Sequence, residues 1–333
     1  MKIGFVLPYA SVNYFGGINV QGRMWRDGLE SLGHEVFLLN TWDKFDYKSM
    51  DYVVILGQGL LVKEMIPLYS QFPSLKIVSA PIIDWHKSFL SFKLRSKYFG
   101  WQRGGFVKPL HELYLAKNKI SFFLARSEFE KRYIVEGLGV DPEKVSIVPI
   151  SVRIDNPPVV DVSKKENFCF HVSRLADPGK NVGRLIAAAK KYRFNLKLGG
   201  TVNGESLTWL SSQISDAPNI EYVGRLSDEE LFKYYQRAKV FALPSFVEGV
   251  GMVALESAVY GSEIVLTNIG APKEYYDGRA VLVNPSDIDS IGKGVLEAMT
   301  SKNAQPELRD HILNNYSMQA CSKQLENAFI SHL

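Results

Sequence analysis

Short apolar runs alternate with segments of helical periodicity along most of the 333 residues, which is the pattern of βαβ units and parallel sheets. In the first half, the pattern predicts strands at 2–7, 36–39, 52–56, 75–79, 122–125 and 145–148, and helices at 19–32 and 127–136. In the second half, it predicts strands at 167–172, 196–198, 220–223, 240–243 and 264–266, and helices at 181–191 and 227–236. We therefore expect an α/β protein with two doubly wound parallel-sheet, Rossmann-like domains facing a cleft.

A proline-bracketed polar stretch separates the two series of elements. Pro149, Pro157 and Pro158 flank it, and it ends in Lys164-Lys165-Glu166, which is typical of a linker. We place the first domain at 1–152, the linker at 153–166 and the second domain at 167–310.

The overall composition is that of a soluble globular protein, with 46% hydrophobic and 22% charged residues. The apolar run at the start is too short for a signal peptide, and no run is long enough to span a bilayer. The two cysteines, Cys169 and Cys321, lack metal-ligand spacing and are expected to be reduced. These features predict a cytoplasmic protein.

The net charge of +4 is concentrated in the first half of the chain. Residues 1–155 carry 20 Lys and Arg against 15 Asp and Glu, whereas the remainder carries 19 against 20. Residues 85–108 contain six cations, seven aromatic residues and no carboxylate. Such a segment suits an anionic membrane surface or single-stranded nucleic acid, or else partly buried aromatic residues beside solvated cations.

The most informative stretch runs from Pro244 to Glu256 and contains Glu248, Gly249 and Gly251. It follows an apolar strand and precedes a helix. A glycine turn at a helix start presents backbone N–H groups and the positive end of the helix dipole to an anion. The flanking carboxylates can accept hydrogen bonds from sugar hydroxyls, so the element suits a nucleotide-sugar.

Other candidate groups also follow predicted strands. Arg174 and Lys180 flank a strand-to-helix loop and can clamp a diphosphate, unless they are simply solvated. Gly16 and Gly17 precede the first helix and permit close approach of a ligand, unless they form a surface turn. His86 can contact a sugar or serve a structural role.

The sequence contains no metal-ligand cluster. Asp287-Ile288-Asp289 resembles a metal-binding Asp-x-Asp motif, but it begins a predicted helix, where acidic residues act as caps. We expect no metal and no other cofactor.

With these residues in order, the chain resembles the retaining glycosyltransferases of family 4, which have the GT-B fold. The resemblance covers nearly the whole chain and is strongest from Phe168 to Glu274. The matching segments are Gly16-Gly17, Ser127-Glu128, Ser173-Arg174-Leu175, Lys180-Asn181, Val223 to Ser227, Leu243-Pro244-Ser245 and Glu248 to Glu256.

The resemblance implies a role for each candidate residue. Arg174 and Lys180 would hold the donor diphosphate, and Gly16 and Gly17 would close over it. Glu256 would bind the ribose, while the donor sugar would meet Glu248, the amides of Val250, Gly251 and Met252, and His86. The backbone of Arg225 and Leu226 would lie beside the base. The first domain would face the acceptor. Residues 311–333 would form a C-terminal helix that returns to the first domain.

The implied reaction is transfer of a hexose-type sugar from a nucleoside diphosphate sugar to a saccharide or lipid-linked acceptor, with retention of configuration, in bacterial surface glycan synthesis. An anionic membrane surface is a candidate partner through 85–108, which would make the protein peripheral on the inner face of the plasma membrane. Two alternatives stay open: a nucleotide-sugar epimerase, and a non-catalytic protein that binds nucleotides or nucleic acid. From the resemblance, we expect no nucleic acid as a partner.

Overall fold

The computed structural model describes residues 1–8, 17–40, 42–85, 87–100, 108–154, 156–301 and 303–333. The chain divides into two compact units. The first comprises Met1–Ser151 together with Met318–Leu333, and the second comprises Val152–Ser317. Gly16 and His86 lie outside the described residues.

Within the described part of the first unit, six parallel strands form one sheet in the order β2-β1-β3-β4-β5-β6. They are β1 (Lys2–Val6), β2 (Glu35–Leu39), β3 (Tyr52–Leu56), β4 (Lys76–Ala80), β5 (Phe122–Ala125) and β6 (Val145–Ile147). The helices are α1 (Gly17–Ser31), α2 (Leu60–Tyr69), α3 (Phe89–Tyr98), α4 (Pro109–Ala116) and α5 (Glu128–Arg132), which continues as a π-helical turn (Tyr133–Gly137).

Residues 152–317 contain the second sheet, whose six described strands run parallel in the order β12-β11-β10-β7-β8-β9. They are β7 (Glu166–Arg174), β8 (Leu196–Thr201), β9 (Ile220–Gly224), β10 (Ala238–Leu243), β11 (Glu263–Thr267) and β12 (Val281–Val283). The helices are α6 (Val182–Tyr192), α7 (Gly204–Ile214), α8 (Asp228–Arg237), α9 (Met252–Val259), α10 (Ile288–Thr300) and α11 (Glu307–Tyr316).

Helices cover the sheets and complete the cores. In the first unit, α2, α4 and the α5 turn supply apolar residues to one cluster, while α1 supplies Trp25 and Leu29 to another. In the second unit, α6 and α10 pack against each other and against the strands. Strands buried on both faces read as continuous apolar runs, as β3 does with Tyr52–Leu56. The prediction of two doubly wound parallel-sheet units is confirmed.

The structure contains elements that the sequence pattern did not predict, namely α2, α3, α4, α7 and the edge strand β12. Ser127 and Glu130 have the spacing of a capping box, but only half of the box forms at the start of α5. Ser127 accepts from the Glu130 amide at 3.1 Å, as expected. The Glu130 carboxylate instead accepts from the amide of Ile83 at 2.5 Å and from Arg126, because these donors lie at the ends of neighbouring strands.

The chain rejoins the first unit at α12 (Met318–Ile330) rather than at about His311, because α11 packs against α9 of the second unit. Helix α12 contacts α1 closely at Gly28, where an added Cβ would lie 1.9 Å from Ser322 Oγ. Phe329 is fully buried beside Tyr52 and Phe122, at ring-centroid distances of 4.8 and 5.8 Å. The last helix is therefore part of the first unit's core.

None of the helices in the described ranges combines the length and apolar character needed to cross a membrane.

We predict that Phe329→Ala lowers the free energy of unfolding by about 3–5 kcal/mol, because it removes a fully buried ring and leaves a cavity. Unfolding in urea can be followed by tryptophan fluorescence, since four of the five tryptophans fall within 1–151. The neighbouring Ile330→Ala is the control, because Ile330 is 51% exposed and its loss should change stability by only about 0.5 kcal/mol. Equal effects of the two changes would contradict the placement of α12.

Candidate functional site

The candidate site of the second unit lies at the carboxyl ends of β7 and β10, which are adjacent in the sheet. The chain leaves β7 towards β8 on one side and leaves β10 towards β11 on the other, so the strand order reverses between them. Ligands of doubly wound sheets bind in the crevice that such a reversal creates. Arg174 ends β7, and the Glu248 segment follows β10.

The loop after β7 is organised by Asp177. Its Oδ1 accepts from the Gly179 amide at 2.9 Å and begins a 3₁₀ turn at Pro178–Lys180. Its Oδ2 accepts from Arg174 Nη2 at 2.8 Å. The Arg174 side chain is 63% exposed, and ion pairs this exposed contribute little to stability. The guanidinium can therefore exchange Asp177 for an entering phosphate at low cost.

Lys180 and Glu248 meet, although 68 residues separate them in sequence. Lys180 Nζ donates to Glu248 Oε2 at 2.8 Å, and Ser245 Oγ lies 3.3 Å from the same oxygen. Both members of the ion pair are mostly buried, with side-chain exposures of 19% and 12%. The structure thus brings together Lys180, which is predicted to bind the diphosphate, and Glu248, which is predicted to bind the sugar.

Backbone hydrogen bonds hold the two loops in this arrangement. The amides of Phe246 and Val247 donate to the Gly179 carbonyl at 2.8 and 3.1 Å. The Asn181 side chain donates to the Pro244 carbonyl at 2.9 Å and to that of Pro285 at 2.7 Å. Asn181 adopts a left-handed conformation with φ of 59°, which asparagine tolerates better than most residues.

The turn before α9 requires glycine at Gly251. Its φ is 77°, and an added Cβ would lie 3.1 Å from a Leu243 methyl carbon. Gly251 is the N-cap of α9, and within the described chain no side chain caps this helix. The Met252 N–H begins the helix and is one of the amides that intrahelical hydrogen bonds leave available to an anion. Val250 is buried just before the turn.

Glu256 lies on α9 and is only 1% exposed. Arg153 Nε donates to its Oε1, and Arg153 Nη2 lies 3.3 Å from Oε2. Tyr235 O–H also reaches Oε2 at 3.3 Å. Burial raises the pKa of Glu256, and the hydrogen bonds and charge of Arg153 oppose that rise. Arg153 falls in the predicted linker, so sequence reasoning missed its contribution.

Arg225 and Leu226 follow β9, with Arg225 exposed and Leu226 half-buried. Two residues beyond Leu226, Asp228 begins α8 and accepts from Arg153 Nη1 at 3.1 and 3.2 Å. Arg153 therefore connects the segment predicted to lie beside the base with the carboxylate predicted to bind the ribose.

His171 is a second residue that the sequence analysis missed. It is fully buried on β7, and its Nδ1 lies 2.8 Å from the Ala242 carbonyl. Because a carbonyl only accepts, Nδ1 carries the hydrogen, and Nε2 is left to accept from Ser173 Oγ at 2.8 Å. Burial lowers the pKa of His171 to about 4, so the ring is neutral and orients Ser173 at the strand end. The sequence did carry one signal for this residue, since His171 is a single histidine within a mostly apolar strand.

In the first unit, Gly17 begins α1 and is exposed, and an added Cβ would meet nothing within 4 Å. Asp84 accepts from Arg126 Nη2 at 2.7 Å, while Arg126 also pairs with Glu130. This network lies at the ends of β4 and β5. A cavity of about 290 Å³ is lined by Asp84 itself, by apolar side chains such as Trp85, and by the cations Arg95 and Lys108.

Among the residues that the structure describes, no group of three or more His, Cys, Asp or Glu side chains has metal-binding geometry. Asp287 caps α10 by accepting from the Asp289 amide at 2.8 Å. Asp289 pairs with Lys191 at 2.5 Å. The Asp-x-Asp motif therefore serves helix capping, as predicted.

The family model for glycosyl transferases group 1 matches residues 152–316. The O-antigen chain mannosyltransferase B of Escherichia coli is 23% identical over 310 residues, which cover 87% of this chain and 76% of that protein. The N-acetylgalactosamine-N,N'-diacetylbacillosaminyl-diphospho-undecaprenol 4-alpha-N-acetylgalactosaminyltransferase of Campylobacter jejuni is 27% identical over 186 residues, covering 53% of this chain and 50% of that protein.

Among solved structures, sucrose-phosphate synthase from Thermosynechococcus elongatus is similar, with a TM-score of 0.76 and 14% identity over 99% of this chain and 98% of that chain. At this identity the likeness concerns the fold, and it confirms the two-domain Rossmann-like architecture of GT-B proteins. Residues 152–316 are therefore similar to the glycosyl transferases group 1 family, and the similarities together support glycosyltransferase activity for this chain.

Proposed function

We propose that the protein is a retaining glycosyltransferase of family 4 that moves a hexose-type sugar from a nucleoside diphosphate sugar to a saccharide or lipid-linked acceptor. The observation that carries the proposal is the convergence of Arg174, Lys180, Glu248 and the Gly251 turn on one switch point. Two cations and a helix start suit a diphosphate, and a neighbouring carboxylate suits sugar hydroxyls.

The difficult step is departure of the diphosphate while positive charge develops on the sugar. Arg174, Lys180 and the amides near Gly251 would stabilise the negative charge on the leaving group, and we propose that they do so without a metal ion. Asp177 and Glu248 are the carboxylates beside these cations, and both are ion-paired. Ion-paired carboxylates are weak nucleophiles, which favours a same-face mechanism over a covalent intermediate.

The proposed role in bacterial surface glycan synthesis rests on the relatives. One bears the name of an O-antigen mannosyltransferase, and the other the name of an enzyme acting on a diphospho-undecaprenol acceptor. The cavity in the first unit supports an acceptor with apolar and anionic parts, because Trp85 lines it together with Arg95 and Lys108, while the Asp84 carboxylate in its wall is paired with Arg126. We place the protein in the cytoplasm, where nucleotide-sugars would reach it.

Helix α3 supports a peripheral membrane position. Leu90, Leu94 and Tyr98 recur at every fourth residue and are 65%, 44% and 64% exposed. Lys93 and Lys97 are exposed on the same helix. Not all aromatic residues of 85–108 can reach a membrane, because Phe92 is buried against Trp85 and Tyr133. We propose that the exposed stripe meets an anionic bilayer.

A thermal-shift comparison of UDP, GDP and ADP tests the donor site. A nucleotide at one hundred times its dissociation constant should stabilise the protein by about 2.7 kcal/mol. The absence of a shift with all three would contradict nucleotide-sugar binding, and turnover of donor sugar without an acceptor would favour an epimerase.

We predict that Arg174→Ala and Lys180→Ala each lower kcat/KM by about a hundredfold or more, because each removes charge that stabilises the leaving diphosphate. Transfer from a radiolabelled nucleotide-sugar measures the effect. Lys190→Ala is the control, since Lys190 lies on α6 and pairs with Asp216. Thermal unfolding of each variant verifies folding, and full activity in either test variant would remove the diphosphate assignment.

We predict that Leu90→Gln/Leu94→Gln reduces co-flotation with vesicles containing phosphatidylglycerol, because it removes the apolar contact while glutamine preserves helix propensity. Lys93→Gln/Lys97→Gln should reduce flotation on anionic vesicles and flatten its salt dependence, at about 1 kcal/mol per cation. Leu207→Gln is the control, because Leu207 is 44% exposed on α7 of the second unit. Equal recovery of all variants would argue against membrane docking.

A further inference from the structure

Arg153 is the one cation that touches Glu256 in the described chain, and it does so with two nitrogens. Its third nitrogen, Nη1, binds Asp228 at the start of α8. The guanidinium also lies over the Phe232 ring, 5.8 Å from its centroid. These contacts fix the planar group between α8 and α9, so it presents a constant face to Glu256.

The surroundings of Glu256 otherwise disfavour its charge. Burial raises its pKa, and the nearby carboxylate of Asp228 raises it further. Tyr235 donates one hydrogen bond to the Glu256 carboxylate, which lowers its pKa in part. Arg153 is the group that opposes these effects by both hydrogen bonding and charge.

A carboxylate accepts stronger hydrogen bonds from hydroxyl groups than a neutral acid does. It offers about four acceptor positions, of which Arg153 and Tyr235 occupy three. The remaining position accepts a stronger hydrogen bond from a ribose hydroxyl when Glu256 is ionised and held in this orientation. An arginine placed here thus acts on the ligand through the glutamate.

We infer that Arg153 is a positioning residue for the donor nucleoside, which keeps Glu256 charged and aimed at the ribose. The inference rests on the proposed function, in which Glu256 binds that ribose. The inference extends the site to a residue at the start of the second unit. It also gives a reason for the two-nitrogen contact between Arg153 and the Glu256 carboxylate.

Calorimetric titration tests the inference with whichever of UDP, GDP and ADP binds the wild-type protein most tightly, between pH 5.5 and 8.5. We predict that Arg153→Gln weakens binding at least tenfold at pH 7. Without the arginine, the pKa of Glu256 rises further, so the variant should recover affinity as the pH increases and the carboxylate ionises. The wild-type protein should lack this additional dependence.

Two further variants keep the test decisive. Arg153→Lys retains the positive charge but loses the two-nitrogen contact with Glu256. It should therefore weaken binding several-fold and keep the wild-type pH profile. This variant also tests the inference if Arg153→Gln does not fold. Arg237→Gln is the matched control, because Arg237 makes the same two-nitrogen contact with Glu166 at the protein surface, at 2.5 and 2.9 Å. It should bind the nucleotide as the wild type does.

Unchanged nucleotide affinity at every pH in folded Arg153→Gln or Arg153→Lys would overturn the inference. Tighter binding would also overturn it, because it would indicate that Arg153 inhibits binding. Glu256→Gln distinguishes the role of Arg153 from the proposed nucleoside site itself. If Glu256→Gln weakens binding and the Arg153 variants do not, only the role of Arg153 fails. If the wild type binds no nucleotide, or Glu256→Gln binds it normally, the proposed nucleoside site fails as well.

Discussion

The reversal of strand order between β7 and β10 is the constraint on which the candidate site depends. The two strands are neighbours, but their outgoing connections diverge, so two loops meet above one pair of strand ends. Amides of Phe246 and Val247 bind the Gly179 carbonyl and tie these loops together. Lys180 and Glu248 come within 2.8 Å of each other as a consequence of topology, not of any local sequence preference.

The three ion pairs around this point differ in burial, and the difference suggests different roles. Arg174 and Asp177 form an exposed pair, which can exchange partners cheaply. Arg153 and Glu256 form a pair whose carboxylate is almost fully buried, and removing one partner of a buried pair costs about 3–5 kcal/mol because the other charge is left uncompensated. Arg174 is therefore suited to follow a ligand, whereas Arg153 is suited to remain in place and define the surface that a ligand meets.

Most of the fold could be predicted because parallel strands buried on both faces leave a strong local signal. The strands predicted at 52–56 and 122–125 coincide with β3 and β5. Helix α3 gave no such signal, since apolar residues occur on both its buried and its exposed sides, with Phe92 on one and Leu90 on the other. Helix α2 contains Pro67, which weakens a helical pattern.

The proximity of Lys180 and Glu248 could be expected, because each follows a strand of the same sheet, as Arg174 does; their roles in donor binding stay predictions. Contacts between distant segments were otherwise not predictable. Arg153 lies 103 residues from Glu256 and reads as part of a polar linker. The Glu130 carboxylate reads as a local cap, yet it serves Ile83 and Arg126 because the sheet brings them together. Such pairings depend on tertiary packing, which sequence periodicity does not record.

The cations of the candidate site and those of α3 differ in their partners. In the second unit, Arg153, Lys180 and Arg174 are all matched with carboxylates. On α3 and just before it, Lys87, Lys93, Arg95 and Lys97 form no ion pair with any described carboxylate. Arg95 lies over the Trp85 ring and Lys97 over the Tyr98 ring, beside exposed leucines. This arrangement of cations and apolar side chains suits the anionic lipid surface proposed above. We therefore propose that the excess positive charge of the first half serves an external anionic partner.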